Sequence, residues 1–181
     1  MAARENLTNQ HKIRRIGLTT RHGMFVEAFY ADRRTKYNAA LKSISSDNKG
    51  NLLVSLESGI NLVCPHLSGH YLHPPFFYVQ IICCEGNAGF VEIGTPVLPL
   101  EQGYSVLAWN HAGFGASEGL PFPEEERASI EVAVLFAIYK LRFNPADIRL
   151  FAWSIGGYAA TWAAMNFPDI GGLVKAKLNS E

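Results

Sequence analysis

Two serines in this 181-residue chain occupy the S-x-G setting that can present a hydroxyl for nucleophilic attack. In that chemistry a G-x-S-x-G pattern puts the serine on a sharp turn between a strand and a helix. Small neighbours leave room for the turn, the hydroxyl stands clear of the sheet, and the helix N-terminus favours developing negative charge. Gly115-Ala116-Ser117-Glu118-Gly119 matches letter for letter, whereas Ala152-Trp153-Ser154-Ile155-Gly156 has Ala152 in place of the first glycine. Context reverses that ranking. Ser117 lies eight residues beyond the end of its strand, and Pro121 and Pro123 intervene before any helix. A strand runs directly into Ser154, and a helix leaves directly after it. S-x-G alone occurs about once by chance in a chain this long, and a serine so placed could simply cap the helix. The small residues after it, Gly156, Gly157, Ala159, Ala160, Ala163 and Ala164, let the helix lie close to a sheet and select the nucleophile reading.

Attack on a carbonyl also needs donors for the oxyanion. The run VQIICC ends in Glu85-Gly86-Asn87-Ala88-Gly89, a backbone-rich loop in the required place. A phosphate cradle is the competing reading of that loop. It lacks the Lys-Ser/Thr of a P-loop and the three-glycine spacing of a dinucleotide fingerprint, so no cofactor is implied. His66, His70 and His73 are spaced four and three apart, which raises the question of a metal. Flanking Pro and Gly argue against a helix to present them, and no Cys, Asp or Glu lies close enough to complete a site; no metal is expected.

The elements that position these residues are sharp from Val79 onward. Val79 to Cys84, Tyr104 to Trp109 and Ile148 to Trp153 are short apolar runs, as expected of strands buried on both faces. A helix follows Pro123, with Glu124, Glu125 and Glu126 in its first turn and Lys140 and Arg142 near its end, as the helix dipole prefers. Its apolar face is Ile130, Val134, Ile138 and Leu141. A second helix covers Ile155 to Phe167 and stops at Pro168. Strands alternating with helices predict a parallel sheet with crossover helices. Residues 1–78 read as irregular, with candidate strands at Phe25 to Ala31 and Leu52 to Leu56. A polar loop is expected at Ser43 to Asn51, and Gly59 to Pro75 shows no clear period.

Composition narrows the class. Lys+Arg and Asp+Glu balance at 16 each, so nothing argues for a nucleic-acid partner. Three cysteines, two of them adjacent, fit neither a disulfide framework nor a metal spacing and suggest a reducing compartment. No signal peptide and no membrane span is expected in these residues.

Four segments, IICCEGNAGF, LEQGYSVLAWNHAGFG, GLPFPEEE and FAWSIGGYAATWAAMNFPD, are long and specific. Together they resemble the α/β-hydrolase superfamily over about half the chain. More narrowly they are similar to the abhydrolase branch of phosphatidylserine and monoacylglycerol lipases, in which A-W-S-I-G is a usual form of the motif. The resemblance implies Ser154 as nucleophile and the backbone N–H groups of Asn87 and Ile155 as oxyanion hole, with Ala152, Gly156 and Gly157 supporting the elbow. It also implies a lipid ester substrate, a membrane surface and an endoplasmic-reticulum or other endomembrane location. His111 sits in a loop where it is usually structural.

The expected architecture is an incomplete α/β-hydrolase fold. Residues 1–78 form an N-terminal region with an insertion at about 38–78, and residues 79–181 form the N-terminal half of the core, without C-terminal strands or lid. Chain order in such folds is Ser, then Asp or Glu, then His. All six histidines precede Ser154, and Asp169 comes too early to be the acid. In a serine protease, losing the base costs about 10⁶-fold in turnover, so these 181 residues are expected to be inactive alone. The alternatives are a pseudo-hydrolase or truncated isoform acting by binding partners or lipid, and acyl transfer to an acceptor other than water. With no neighbour, the elbow strand is expected to approach an exposed sheet edge.

Overall fold

The computed structural model describes residues 2–34, 41–46, 52–56, 61–64, 79–87 and 89–176. In chain order the elements are α1 (Ala2–His11), β1 (Arg14–Thr19), β2 (Phe25–Ala31), β3 (Leu41–Ser46), β4 (Leu52–Leu56), β5 (Asn61–Cys64), β6 (Gln80–Cys84), α2 (Val97–Glu101), β7 (Ser105–Trp109), α3 (Pro123–Leu135), β8 (Ile148–Trp153), α4 (Gly156–Asn166) and β9 (Gly172–Ala176). Six strands make one mixed sheet, ordered β1-β2-β7-β6-β8-β9. β1, β2 and β7 pair antiparallel, and β7, β6, β8 and β9 run parallel.

The alternation of side chains along each strand explains the layers. Val26, Ala28, Ile82, Cys84, Leu107, Trp109, Leu150 and Ala152 are buried on one face, in one cluster with Ile130, Ala133 and Val134 of α3 and Ala159, Ala160 and Ala163 of α4. Their chain neighbours Phe29, Ala31, Cys83, Val106 and Ala108 face the other way, onto Leu7 and Ile13 at the N-terminus and Val91 and Leu100 near α2. Small side chains on α4 let it pack closely on β8 and β6.

The three strands from Val79 onward and both long helices stand where the sequence puts them. α3 runs on into a π-helical turn at Phe136–Lys140, closed by the Leu141 N–H on the Phe136 carbonyl. Ile130 and Val134 are buried, while Ile138 and Leu141 pack against the same core half-exposed.

The N-terminal region departs from the irregular reading. α1, β1 and β2 are regular, and β2 pairs directly with β7, so no boundary near residue 78 separates residues 14–31 from the core sheet. β1 hid its strand character because it is an outer strand with Arg14 and Arg15 exposed. Part of the expected polar loop is β3, and part of the stretch without a clear period is β5. With β4 they form a separate antiparallel sheet, ordered β3-β4-β5. His66, His70 and His73 lie outside the described residues, as does most of the expected insertion. The expected edge position of the elbow strand is also corrected: β9 pairs along β8 from Arg149–Gly172 to Trp153–Ala176, and among the described residues β9 is the outer strand.

Candidate active site

Ser154 follows the last residue of β8 and precedes the turn into α4. It is exposed, and its φ is +50°, left-handed backbone that costs energy for any residue with a Cβ. The turn is held by the Ser154 N–H on the Ala176 carbonyl at 3.4 Å and the Gly157 N–H on the Ser154 carbonyl at 3.0 Å. Helix capping does not account for this serine. The N-cap residue is Ile155, and no side chain caps the first turn.

Each supporting residue has a steric reason. Ala152 is 1% exposed in the packed layer under α4. At Gly156 a Cβ would come within 2.3 Å of both the Cys84 and Glu85 carbonyl oxygens, so only glycine lets the helix start against the end of β6. Gly157 has less severe demands; a Cβ there would meet Lys175 Cε at 3.0 Å. The loop after β6 lies against the elbow: a Cβ on Gly86 would stand 2.5 Å from Trp153 Cδ1 and 3.5 Å from Ser154 Cβ. Gly86 is buried and Asn87 exposed, while Ile155 is 52% exposed on the helix side of Ser154. Gly86 and Ile155 therefore border the serine from two elements, and Asn87 follows Gly86 in the chain.

Ser117 is placed quite differently. It is buried, its Oγ donates to the Asn110 carbonyl at 2.8 Å, and that Oγ accepts the Glu27 N–H at 2.9 Å. A serine with both capacities used inside a wall is structural. It belongs to a network around Glu27, whose carboxylate accepts from Asn110 Nδ2, the Ala116 N–H and Arg15 Nε. Burial raises the pKa of Glu27, and these bonds, with the Arg15 charge, outweigh it and hold the carboxyl below its ordinary value.

A second buried network underlies the loop after β6. Glu85 is 3% exposed, and its Oε1 accepts from the Thr95 N–H at 2.8 Å and from Thr95 Oγ1 at 2.5 Å. Burial pushes its pKa up despite those bonds. His111, also 3% exposed, places Nδ1 2.6 Å from Glu126 Oε2 and Nε2 2.9 Å from the Glu85 carbonyl oxygen. Burial lowers its pKa, but the Glu126 carboxylate more than compensates and raises it. In the sequence Glu126 reads only as helix-dipole charge, and Glu85, Glu27 and Asn110 carry no motif. A charged residue inside an apolar strand pattern, as at Glu27 in FVEAFYA, was the one available signal.

The described residues contain no cluster of three or more His, Cys, Asp or Glu able to hold a metal ion. None of the described helices is long and apolar enough to cross a membrane. Cys83 and Cys84 are buried free thiols, both pushed up in pKa by burial.

Among solved structures, an esterase of Pyrococcus furiosus superposes with a TM-score of 0.57 at 15% identity, over 94% of this chain and 54% of its own. The α/β-hydrolase GrgF of Penicillium gives 0.56 at 16% identity, over 92% of this chain and 46% of its own. The fold is that of the α/β-hydrolases. No family model matches the chain. Curated relatives carry the resemblance into one branch of these hydrolases. Phosphatidylserine lipase ABHD16A of Bos taurus is 60% identical over 94 residues, and its Homo sapiens counterpart 57%. The match covers 52% of this chain and 17% of each lipase. An uncharacterized protein of Caenorhabditis elegans is 37% identical over 142 residues, 78% of this chain and 29% of its own length. The chain thus spans less than a third of the curated relatives it matches and about half of the solved esterase.

Proposed function

We propose that the chain carries the nucleophile half of a serine hydrolase of lipid esters, with Ser154 as nucleophile and the Asn87 and Ile155 N–H groups as oxyanion hole. The observation that carries this reading is the left-handed backbone of an exposed Ser154 between β8 and α4, with the Gly86 loop against its Cβ. In the reaction the Ser154 Oγ forms a bond to the ester carbonyl carbon. The carbonyl electrons move onto oxygen between the two N–H donors, and collapse releases the alcohol with a proton. Water then cleaves the acyl-serine, giving acid and free serine. The names of the curated relatives support a lipid ester, with phosphatidylserine as a candidate substrate; monoacylglycerol and a membrane surface rest on the motif resemblance alone. A cavity of about 540 Å³ beside the loop sets Ile93, Val97, Leu98, Phe151 and Trp153 beside the polar Glu85, Asn87, Thr95 and Glu101, and the former offer apolar surface to an acyl chain.

A second reading, a chain that binds without turnover, has its own support. Both ring nitrogens of His111 are engaged, and the other described histidines, His11 and His22, lie at the end of α1 and in the β1–β2 turn. With no base at hand among the described residues, hydroxyl activation falls by orders of magnitude. The 181-residue chain should therefore react slowly with a fluorophosphonate probe. Whatever label forms should sit on Ser154, vanish in Ser154→Ala and persist in Ser117→Ala. Label on Ser117 would sink the site assignment. Rapid labelling would instead overturn the inactivity of these 181 residues. Binding to phosphatidylserine vesicles without ester turnover would favour the second reading.

A further inference from the structure

The His111 ring does more than fill the core. A carbonyl oxygen cannot donate, so Nε2 must carry a proton toward Glu85. Nδ1 faces a carboxylate oxygen, so the second proton is shared within the His111–Glu126 pair. Glu126 is fixed in turn, because it sits in the first turn of α3 and its Oε1 accepts the Ala112 N–H at 3.3 Å. The ring is also held edge-on between Trp109 and Phe114, with centroids 6.5 and 6.1 Å away. It therefore has one orientation, aimed at the Glu85 carbonyl.

That carbonyl is the point where the two halves of the site meet. It immediately precedes Gly86 and Asn87, and Gly156 of the elbow helix packs on it so closely that no Cβ would fit. A donor that fixes the Glu85 peptide fixes both the direction in which the loop leaves β6 and the surface on which α4 starts. We propose that His111, clamped by Glu126, is a positioning residue that sets the spacing between the Gly86-Asn87 loop and Ser154. The inference rests on reading that loop as the oxyanion hole.

Three groups face this cluster from the surrounding elements: Glu126 from α3, the Glu85 carboxyl from the loop after β6, and the buried Cys84 thiol of β6. Burial opposes the imidazolium, while Glu126, the Glu85 carbonyl and the Glu85 charge favour it, so it should persist above the ordinary histidine range. The loop should then change when His111 loses its proton, not when Glu85 or Cys84 does.

The test is a pH titration of the full 181-residue chain, labelled with ¹⁵N. It follows the His111 ring nitrogens together with the backbone amides of Gly86 and Asn87. Coincident midpoints are expected, with Ala160 in the middle of α4 unmoved. Glu126→Gln should lower the His111 midpoint by about one pH unit or more, and the loop amides should move with it. His111→Gln keeps a donor for the Glu85 carbonyl and should abolish the loop transition while leaving Gly86 and Asn87 near their low-pH positions. Loop amides that titrate apart from His111, or stay in place when Glu126→Gln moves it, would overturn the proposal; wild type alone suffices should a variant not fold. Fluorophosphonate labelling of the same samples keeps the two readings separate. Loop amides that follow His111 while the label forms on a residue other than Ser154 would retain the positioning role and remove the nucleophile assignment. A serine that labels beside indifferent amides would do the reverse.

Discussion

At the scale of single residues, the site depends on how little room Gly156 leaves. Gly156 has backbone oxygens on its Cα, which cannot swing aside as a side chain would. Gly156→Ala should therefore push α4 away from β6 and cost about 1–3 kcal/mol, the usual range for overpacking. Because the displacement opens the gap between Ser154 and the Gly86 loop, fluorophosphonate labelling should fall further than stability alone predicts. Gly157→Ala meets only the Lys175 side chain at 3.0 Å and should be nearly neutral in both measurements. Thermal melts and labelling rates of the two variants side by side decide this; equal effects would mean that the Gly156 contact does not position the site. Ser117 shows the converse case at the same scale. It satisfies the motif letter for letter, and its hydroxyl is spent on Asn110 and Glu27.

At the scale of elements, the strand-elbow-helix unit was legible because its signals are local. Ile148–Trp153 is a short apolar run, Pro145 and Pro168 bracket the unit, and the small residues after Ser154 announce close packing. What stayed hidden depends on partners distant in sequence. Glu27 looks like an error in an apolar strand until Asn110 and Ala116, 83 and 89 residues away, supply its donors. β1 has an exposed, charged pattern that reads as loop, and only pairing with β2 makes it a strand. The π-helical turn after α3 follows from fitting that helix to the core, and no residue type announces it. The elbow strand was expected to approach the exposed edge, and the pairing of β9 along it moves that edge outward by one strand. Among the described residues β9 is the outer strand, with Val174 56% exposed. An outer strand with a bare apolar side chain invites pairing with another molecule. Val174→Lys should raise the concentration at which the protein aggregates, and shift stability by less than about 0.5 kcal/mol. Light scattering against concentration, with a melt as control, reads both. Unchanged scattering would place the sticky surface elsewhere.

At the scale of the whole molecule, four buried or half-buried groups set how stability responds to pH, and they pull in opposite directions. Glu27 and Asp32 lie below their unfolded values of 4.5 and 3.8: burial raises both, and hydrogen bonds with nearby Arg charges overcome it. Their contribution is present above those unfolded values and is lost as pH falls through the lower folded ones. Glu85 and His111 lie above their unfolded values of 4.5 and 6.5. Burial causes the rise at Glu85. At His111 burial opposes it, and Glu126 prevails. Their contribution is complete below those unfolded values and drains away as pH rises through the raised ones. The carboxylates that anchor the Ser117 loop and the strand end therefore fail first in acid, whereas the pair beneath the Gly86 loop loosens toward alkali. The melting temperature should peak on the acidic side of neutrality, above the range where Glu27 and Asp32 protonate and below the raised His111 value. Melts between about pH 3 and 9 should show the peak, with Glu27→Gln flattening the acid limb and Glu126→Gln the alkaline one. A melting temperature that keeps climbing past the histidine range would contradict the assignment. Such a result would mean that the buried network under the Gly86 loop does not govern how this half of the hydrolase fold holds together.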